Sequence, residues 1–130
     1  MSNQQFAETT PSVAGQTFVA ADTTAVKTLY QPQSAIGGRV DSILCTNSDV
    51  IDHYVAVYLN TPSATTRIGS VKVPAGAGFG AVPSVDLVAG LPVTNVLGLL
   101  IRATGLVALS MEVAVTAAFV VTAVAQGGTF

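Results

Sequence analysis

From Thr17 onward, the sequence is a succession of short apolar runs rich in Val, Ala and Thr. Clusters of Gly, Pro, Asn and Ser interrupt these runs at intervals of roughly 8 to 15 residues, which is the spacing of short strands joined by turns. No window of about eleven residues shows the period of an amphipathic helix. The pattern therefore predicts an all-β domain, a jelly-roll-like two-sheet β-sandwich of about eight strands.

The clearest strand lies between Asp52 and Leu59, where the side chains alternate in character. His53, Val55, Val57 and Leu59 are predicted to face one side, because successive side chains of a strand point to opposite faces. A short polar loop separates this strand from the next, which predicts an antiparallel hairpin. The runs predicted as strands are 25–30, 39–46, 52–59, 66–73, 96–102, 106–115 and 117–125.

Two segments outside these runs are less regular. The stretch 79–92 is compatible with a helical turn ended by Gly90, with a short strand or with a loop. Residues 1–16 are polar and lack periodicity, and we expect them to form a flexible or extended N-terminal arm with Phe6 as its apolar anchor. The remainder of the 130 residues, 17–130, has the size of a single domain.

Charged residues make up only 9% of the chain, against roughly 25% in an ordinary soluble domain. A monomer with so little charge would expose apolar surface, whereas a subunit covers that surface against its neighbours. The composition therefore favours an oligomer. The net charge is −2 and the five cations are scattered along the sequence, so we expect no nucleic-acid partner.

The hydrophobic content of 50% raises a transmembrane helix as an alternative, with residues 106–125 as the best candidate. Glu112 would then lie near the bilayer centre at a cost of several kcal/mol, and no Lys or Arg cluster flanks the segment. We therefore expect no membrane partner. The first residues have neither a positive n-region nor an apolar h-region, and we expect synthesis in the cytoplasm of the producing cell without a secretory signal.

The chain carries few of the residues that catalysis or metal binding requires. His53 is the only histidine and is predicted to pack at a sheet margin, and Cys45 is the only cysteine and is predicted to be a small buried residue. A calcium site formed by Asp49, Asp52 and loop carbonyls is an alternative without the spacing of an EF-hand. The glycines at 76–80 lack the spacing of a dinucleotide loop. We expect no catalytic residue, cofactor or metal, and predict that the chain is not an enzyme.

Interface residues are then the candidates for function. The last two predicted strands are apolar on both faces, which predicts that a neighbouring subunit covers one of them. Glu112 lies in this region and needs a partner, for which Arg102 on the preceding strand is the cross-strand candidate. Contact with another subunit is the alternative for Glu112. The candidate interface residues are Phe6, Tyr54, Tyr58, Glu112, Phe119 and Phe130.

Four runs of the sequence carry a family resemblance. They are VKTLYQPQSAIGGRVDSILCTNSD, which begins at Val26, then HYVAVYLN, IGSVKVPAGAGFGAVPSVDLVAGLP and the tail VTAAFVVTAVAQGGTF. Across residues 24–130, the sequence resembles small virion structural proteins of tailed bacteriophages. Many members of that family end in an acidic residue followed by an aromatic one, whereas this sequence has Thr129 and Phe130.

The resemblance implies a jelly-roll decoration or cement protein. Such proteins are typically homotrimers that lie at local three-fold positions of the capsid and bind across neighbouring shell subunits. The expected partners are then the chain itself and the major capsid protein, and the expected location is the capsid surface of the virion. A phage tail, neck or receptor-binding accessory module is the main alternative. A shell-forming coat protein, an enzyme and a membrane pore are the others.

Overall fold

The structure, a computed structural model, describes residues 10–32, 37–60, 65–91, 99–102 and 105–129. Within these ranges, nine strands form two antiparallel sheets. A 3₁₀ turn at Ala20–Asp22 follows the first strand, and a one-turn helix, α1, spans Leu87–Gly90. The strands are β1 Thr10–Phe18, β2 Lys27–Tyr30, β3 Gly37–Asn47, β4 His53–Asn60, β5 Thr65–Val73, β6 Val85–Asp86, β7 Leu99–Arg102, β8 Val107–Met111 and β9 Val121–Thr129.

The strand order of the two sheets is that of a jelly roll. The first sheet has the order β1-β9-β3-β6, with β7 also paired to β3, and the second has the order β2-β8-β4-β5. The β1–β2, β8–β9, β3–β4 and β5–β6 connections all pass between the sheets at the same end of the sandwich. We call this end the crossover end, and it consists of residues 19–26, 48–52, 74–84 and 112–120. The predicted all-β, jelly-roll-like sandwich is confirmed.

The core lies between the inner faces of the two sheets. In β4 the predicted alternation is confirmed, because His53, Val55 and Val57 are buried and Leu59 is partly buried. The predicted hairpin is also confirmed, since β4 pairs with β5 in antiparallel register. All five residues of β8 are buried within the single chain, so a neighbouring subunit is not needed to cover that strand. The outer face of β9 is different, because Thr122 and Val124 remain partly accessible there.

The stretch 79–92 combines two of the structures that its sequence allows. Val85 and Asp86 form the short strand β6 beside β3, and α1 follows immediately. The Asp86 carboxylate accepts a hydrogen bond from the Val88 amide at 3.0 Å, which caps the first turn of α1, and another from the Ile43 amide at 3.1 Å. The helix ends at Gly90, where a side chain would collide with Val71, because a Cβ would lie 2.7 Å from a Val71 methyl carbon.

Several strand boundaries differ from the sequence prediction. Residues 10–16, which the sequence places in the arm, belong to β1 and pair with β9, while residues 1–9 lie outside the described ranges. The ladder to β9 satisfies the main chain of β1, so a polar edge strand forms without a strongly apolar sequence. The strand predicted at 106–115 ends at Met111, and the last strand starts at Val121 instead of residue 117. Residues 112–120 form the loop between them, with Ala118 at a φ of 75°.

Candidate functional site

A buried polar cluster lies at the crossover end, centred on the Asp49 carboxylate. Asp49 Oδ2 accepts hydrogen bonds from His53 Nε2 and from the Thr116 amide, both at 2.8 Å, and Asp49 Oδ1 accepts one from the Val50 amide at 2.6 Å. The side chains of Asp49 and His53 are both completely buried. Burial by itself raises the pKa of Asp49, but the hydrogen bonds from His53, Thr116 and Val50 outweigh it and hold that pKa well below its usual range.

Asn47 extends this cluster to a third loop. Its Nδ2 donates to the Ile51 carbonyl at 3.0 Å and lies within hydrogen-bond distance of the Val73 and Pro74 carbonyls, at 3.2 and 3.3 Å. Its Oδ1 accepts a hydrogen bond from the Asp49 amide at 2.9 Å. Loops 48–52, 74–84 and 112–120 are therefore held together by two buried side chains, Asn47 and Asp49, that sequence reasoning did not select for this role.

The pairing of His53 with Asp49 is a structural contact in this geometry. The sequence analysis placed His53 at a sheet margin, and it is indeed the first residue of β4, but it is fully enclosed and bonded to a carboxylate four residues earlier. An acid–base pair acts on a substrate only if the substrate comes within hydrogen-bond reach. Neither side chain has exposed surface through which a substrate could approach.

The two carboxylates of the calcium alternative are already engaged by N–H donors. The N–H donors to Asp49 are described above. Asp52 Oδ1 accepts a hydrogen bond from the Ala75 amide at 2.8 Å, and Asp52 Oδ2 lies 3.3 Å from Lys72 Nζ. A calcium site needs six to eight oxygen ligands whose lone pairs point at the ion. The described part of the chain contains no group of three or more His, Cys, Asp or Glu side chains arranged for a metal.

A second site lies on the outer face of the second sheet, where Tyr58 and Ser110 meet across β4 and β8. The Tyr58 and Ser110 hydroxyl oxygens are 3.1 Å apart, and Arg67 donates to Glu112 at 2.9 Å beside them. These residues border an open cavity of about 320 Å³, which we call the Tyr58 cavity. Its lining residues are Thr24, Tyr58, Arg67, Ser110, Met111 and Glu112.

The predicted partner of Glu112 is wrong. Arg102 lies on β7 in the first sheet, whereas Glu112 follows β8 in the second, and the guanidinium that pairs with Glu112 belongs to Arg67 on β5. The side chains of this pair are 48% and 35% exposed, so water screens their attraction and the pair contributes little to stability.

Among the candidate interface residues that the structure describes, Tyr54 and Tyr58 lie on the same face of β4, and the Glu112 amide donates to the Tyr54 carbonyl at 3.1 Å. Tyr58 and Glu112 share the Tyr58 cavity, and Tyr54 is exposed on β4. Phe119 is partly buried and packs against the core, which makes it a structural residue of the loop 112–120. Phe6 and Phe130 lie outside the described residues.

Cys45 is the free thiol of β3, and it is fully buried. Burial raises the pKa of the Cys45 thiol to about 12, and only the thiolate is reactive. We expect no labelling of the native protein by a disulfide reagent at pH 8 within an hour, and complete labelling in concentrated guanidinium chloride. Rapid labelling without denaturant would contradict this placement of Cys45.

Comparison with known proteins adds no relative to these observations. No protein-family model, curated protein or solved structure matches the chain. In the described ranges, none of the helices has both the length and the apolar character needed to cross a membrane.

Proposed function

We propose that this chain is a non-enzymatic structural protein of a tailed bacteriophage, which decorates the capsid as a homotrimer and binds across neighbouring shell subunits. One observation carries most weight: ten large apolar side chains are exposed in the described part of the chain, although the same part buries an extensive core. Exposed apolar side chains that are grouped on one surface are typical of a subunit whose neighbours cover that surface in an assembly.

The distribution of polar groups supports a binding role. The buried polar cluster of Asn47, Asp49 and His53 fixes loops and has no open path to solvent. A rigid domain with exposed apolar side chains and an enclosed polar cluster is suited to permanent contacts between proteins.

The jelly-roll strand order and the sequence resemblance point to the same class. Jelly rolls recur in viral capsid proteins, although the fold also serves in lectins and cupins. Residues 24–130 resemble virion structural proteins of tailed phages, which favours a capsid protein over a lectin or a cupin. The partners proposed on this basis are further copies of the chain and the major capsid protein.

Two measurements test this proposal. Size-exclusion chromatography with light scattering should give a stable trimer of the 13.1 kDa chain at micromolar concentration. Immunogold labelling of purified virions with an antibody to the chain should decorate the head. Labelling confined to the tail or neck would favour the accessory-module alternative, and a monomer absent from virions would overturn the proposal.

A further inference from the structure

The topology places four loops side by side at the crossover end. Because the two sheets have corresponding strand orders, the connecting loops follow one another across the sandwich in the order 19–26, 112–120, 48–52 and 74–84. Every residue of these loops is described. The crossover end is therefore a continuous surface whose composition is known.

This surface is rich in exposed apolar side chains. These side chains are concentrated on four loops that are neighbours at one end of the sandwich, whereas exposed apolar residues that are scattered singly are ordinary. They make up six of the ten exposed large apolar side chains in the described part of the chain. They are Val19 (38% exposed), Val26 (51%), Val50 (71%), Ile51 (43%), Phe79 (52%) and Val113 (61%).

Three of the four loops, 48–52, 74–84 and 112–120, are held in place by hydrogen bonds to one another. Loop 48–52 is bonded to loop 112–120 by the contacts between Asp49 and the Thr116 amide and between Ser48 and the Val120 carbonyl. It is bonded to loop 74–84 by the Ala75 amide on Asp52 and by Asn47. Loops that are already ordered lose little conformational entropy on binding, which favours a surface used for recognition.

The charged side chains of the crossover end are all paired within the chain. Their partners within the described residues are Lys27 for Asp22, His53 for Asp49, Lys72 for Asp52 and Arg67 for Glu112. Nucleic acid and anionic lipid are bound through several unpaired cations, which this end does not supply. The chemistry of the surface is instead complementary to an apolar, uncharged patch of another protein.

We propose that the crossover end is the surface through which this chain docks onto an uncharged apolar patch of a different protein. On the proposed function, on which this assignment of the partner rests, that protein is the capsid shell subunit. The apolar patch of one copy is small for a stable interface, and the homotrimer would multiply it threefold, so that modest contacts add up to firm attachment.

A pair of matched double variants tests the docking surface. Val50→Ser with Ile51→Ser removes apolar side chains that are 71% and 43% exposed at the crossover end, and Thr65→Ser with Thr66→Ser changes two exposed side chains at the start of β5, at the opposite end of the sandwich. Both are assayed by co-sedimentation with capsids assembled without the chain. We expect the Kd of the crossover-end variant to rise at least about tenfold and that of the control to change less than about twofold.

Each other outcome has a definite meaning. If wild-type protein does not sediment with capsids, the proposed function fails, and the shell subunit fails with it as the partner. If wild-type protein binds and the Val50 and Ile51 variant binds equally well, the docking surface alone is wrong. Loss of the trimer in that variant would make the crossover end a contact between copies, and binding of wild-type protein to phosphatidylcholine vesicles would make it a lipid contact, so either result overturns the proposal. Val113→Ser, on loop 112–120, repeats the test should the first variant fold poorly.

Discussion

Replacing Asp49 with Ala should lower the free energy of unfolding by about 3–5 kcal/mol, since removal of one partner leaves the other polar groups of a buried cluster unsatisfied. His53 Nε2 and the amides of Val50 and Thr116 would lose their acceptor. The total stability of a small domain is only about 5–15 kcal/mol, so this one substitution removes a large part of it. Urea denaturation at pH 7, followed by far-UV circular dichroism, measures the loss.

Asp52→Ala is the matched control, three positions along the same loop. Asp52 also accepts a main-chain hydrogen bond and also pairs with a cation, but its side chain is 47% exposed and water replaces both contacts when the carboxylate is removed. The denaturation midpoint of this variant should stay close to that of the wild type. Equal losses of stability in the two variants would show that the contribution of Asp49 to stability does not depend on its burial.

The Asp49 carboxylate also makes the stability of the protein depend on pH, and the direction of that dependence follows from its lowered pKa. The pKa of Asp49 is lower in the folded protein than in the unfolded chain, so its contribution is fully present above the unfolded pKa of about 3.9 and is lost as the pH falls towards the folded value. Asp49→Asn lacks this contribution at every pH. The difference in stability between wild type and Asp49→Asn should therefore shrink as the pH falls below about pH 4. A difference that grows on acidification would contradict the assignment.

The second large effect is expected at Gly127, in β9. A Cβ at this position would overlap the carbonyl oxygen of Arg39 in β3, where a bulge between Val40 and Ser42 brings the two main chains together. Main chain in the middle of a sheet cannot move aside as a flexible side chain can. We expect Gly127→Ala to cost at least about 3 kcal/mol or to prevent folding.

Gly15→Ala in β1 provides the comparison within the same sheet. A Cβ at Gly15 meets only the Ala123 carbonyl oxygen at 3.6 Å, which is ordinary contact. Alanine also restricts the unfolded chain more than glycine does, so stability should be unchanged or higher by up to about 1 kcal/mol. Thermal melts of the two alanine variants measure the difference in their stability. A Gly127→Ala protein as stable as the Gly15→Ala protein would rule out the close approach of β9 to Arg39.

The parts of the fold that the sequence predicts are those with a local signal. In β4 the alternation of Val55 and Val57 with Tyr54 and Tyr58 indicates which face of the strand meets the core. Strand β1 has no such signal. Its residues from Thr10 to Gln16 read as polar chain, and only the ladder to β9, more than a hundred residues away, makes them a strand.

Site residues depend even more on contacts that are distant in sequence. The pairing of Glu112 with Arg67 instead of Arg102 follows from which strands share a sheet, and no local pattern specifies that. The spacing of Asp49 and His53 was visible, but their complete burial depends on Asn47, on loop 74–84 and on the Thr116 amide closing over them. The crossover end could not be predicted at all, since its four loops come together only through the strand order of both sheets.

The position of β9 between β1 and β3 also has a consequence for biosynthesis. Both of these earlier strands expose an unpaired edge until residues 121–129 have left the ribosome, so the first sheet closes only after β9 has emerged. Pairing across such sequence separations is slow, and open edges of nascent strands are sites of aggregation. We therefore expect the yield of folded protein to depend on how long the edges of β1 and β3 stay open before β9 inserts between them.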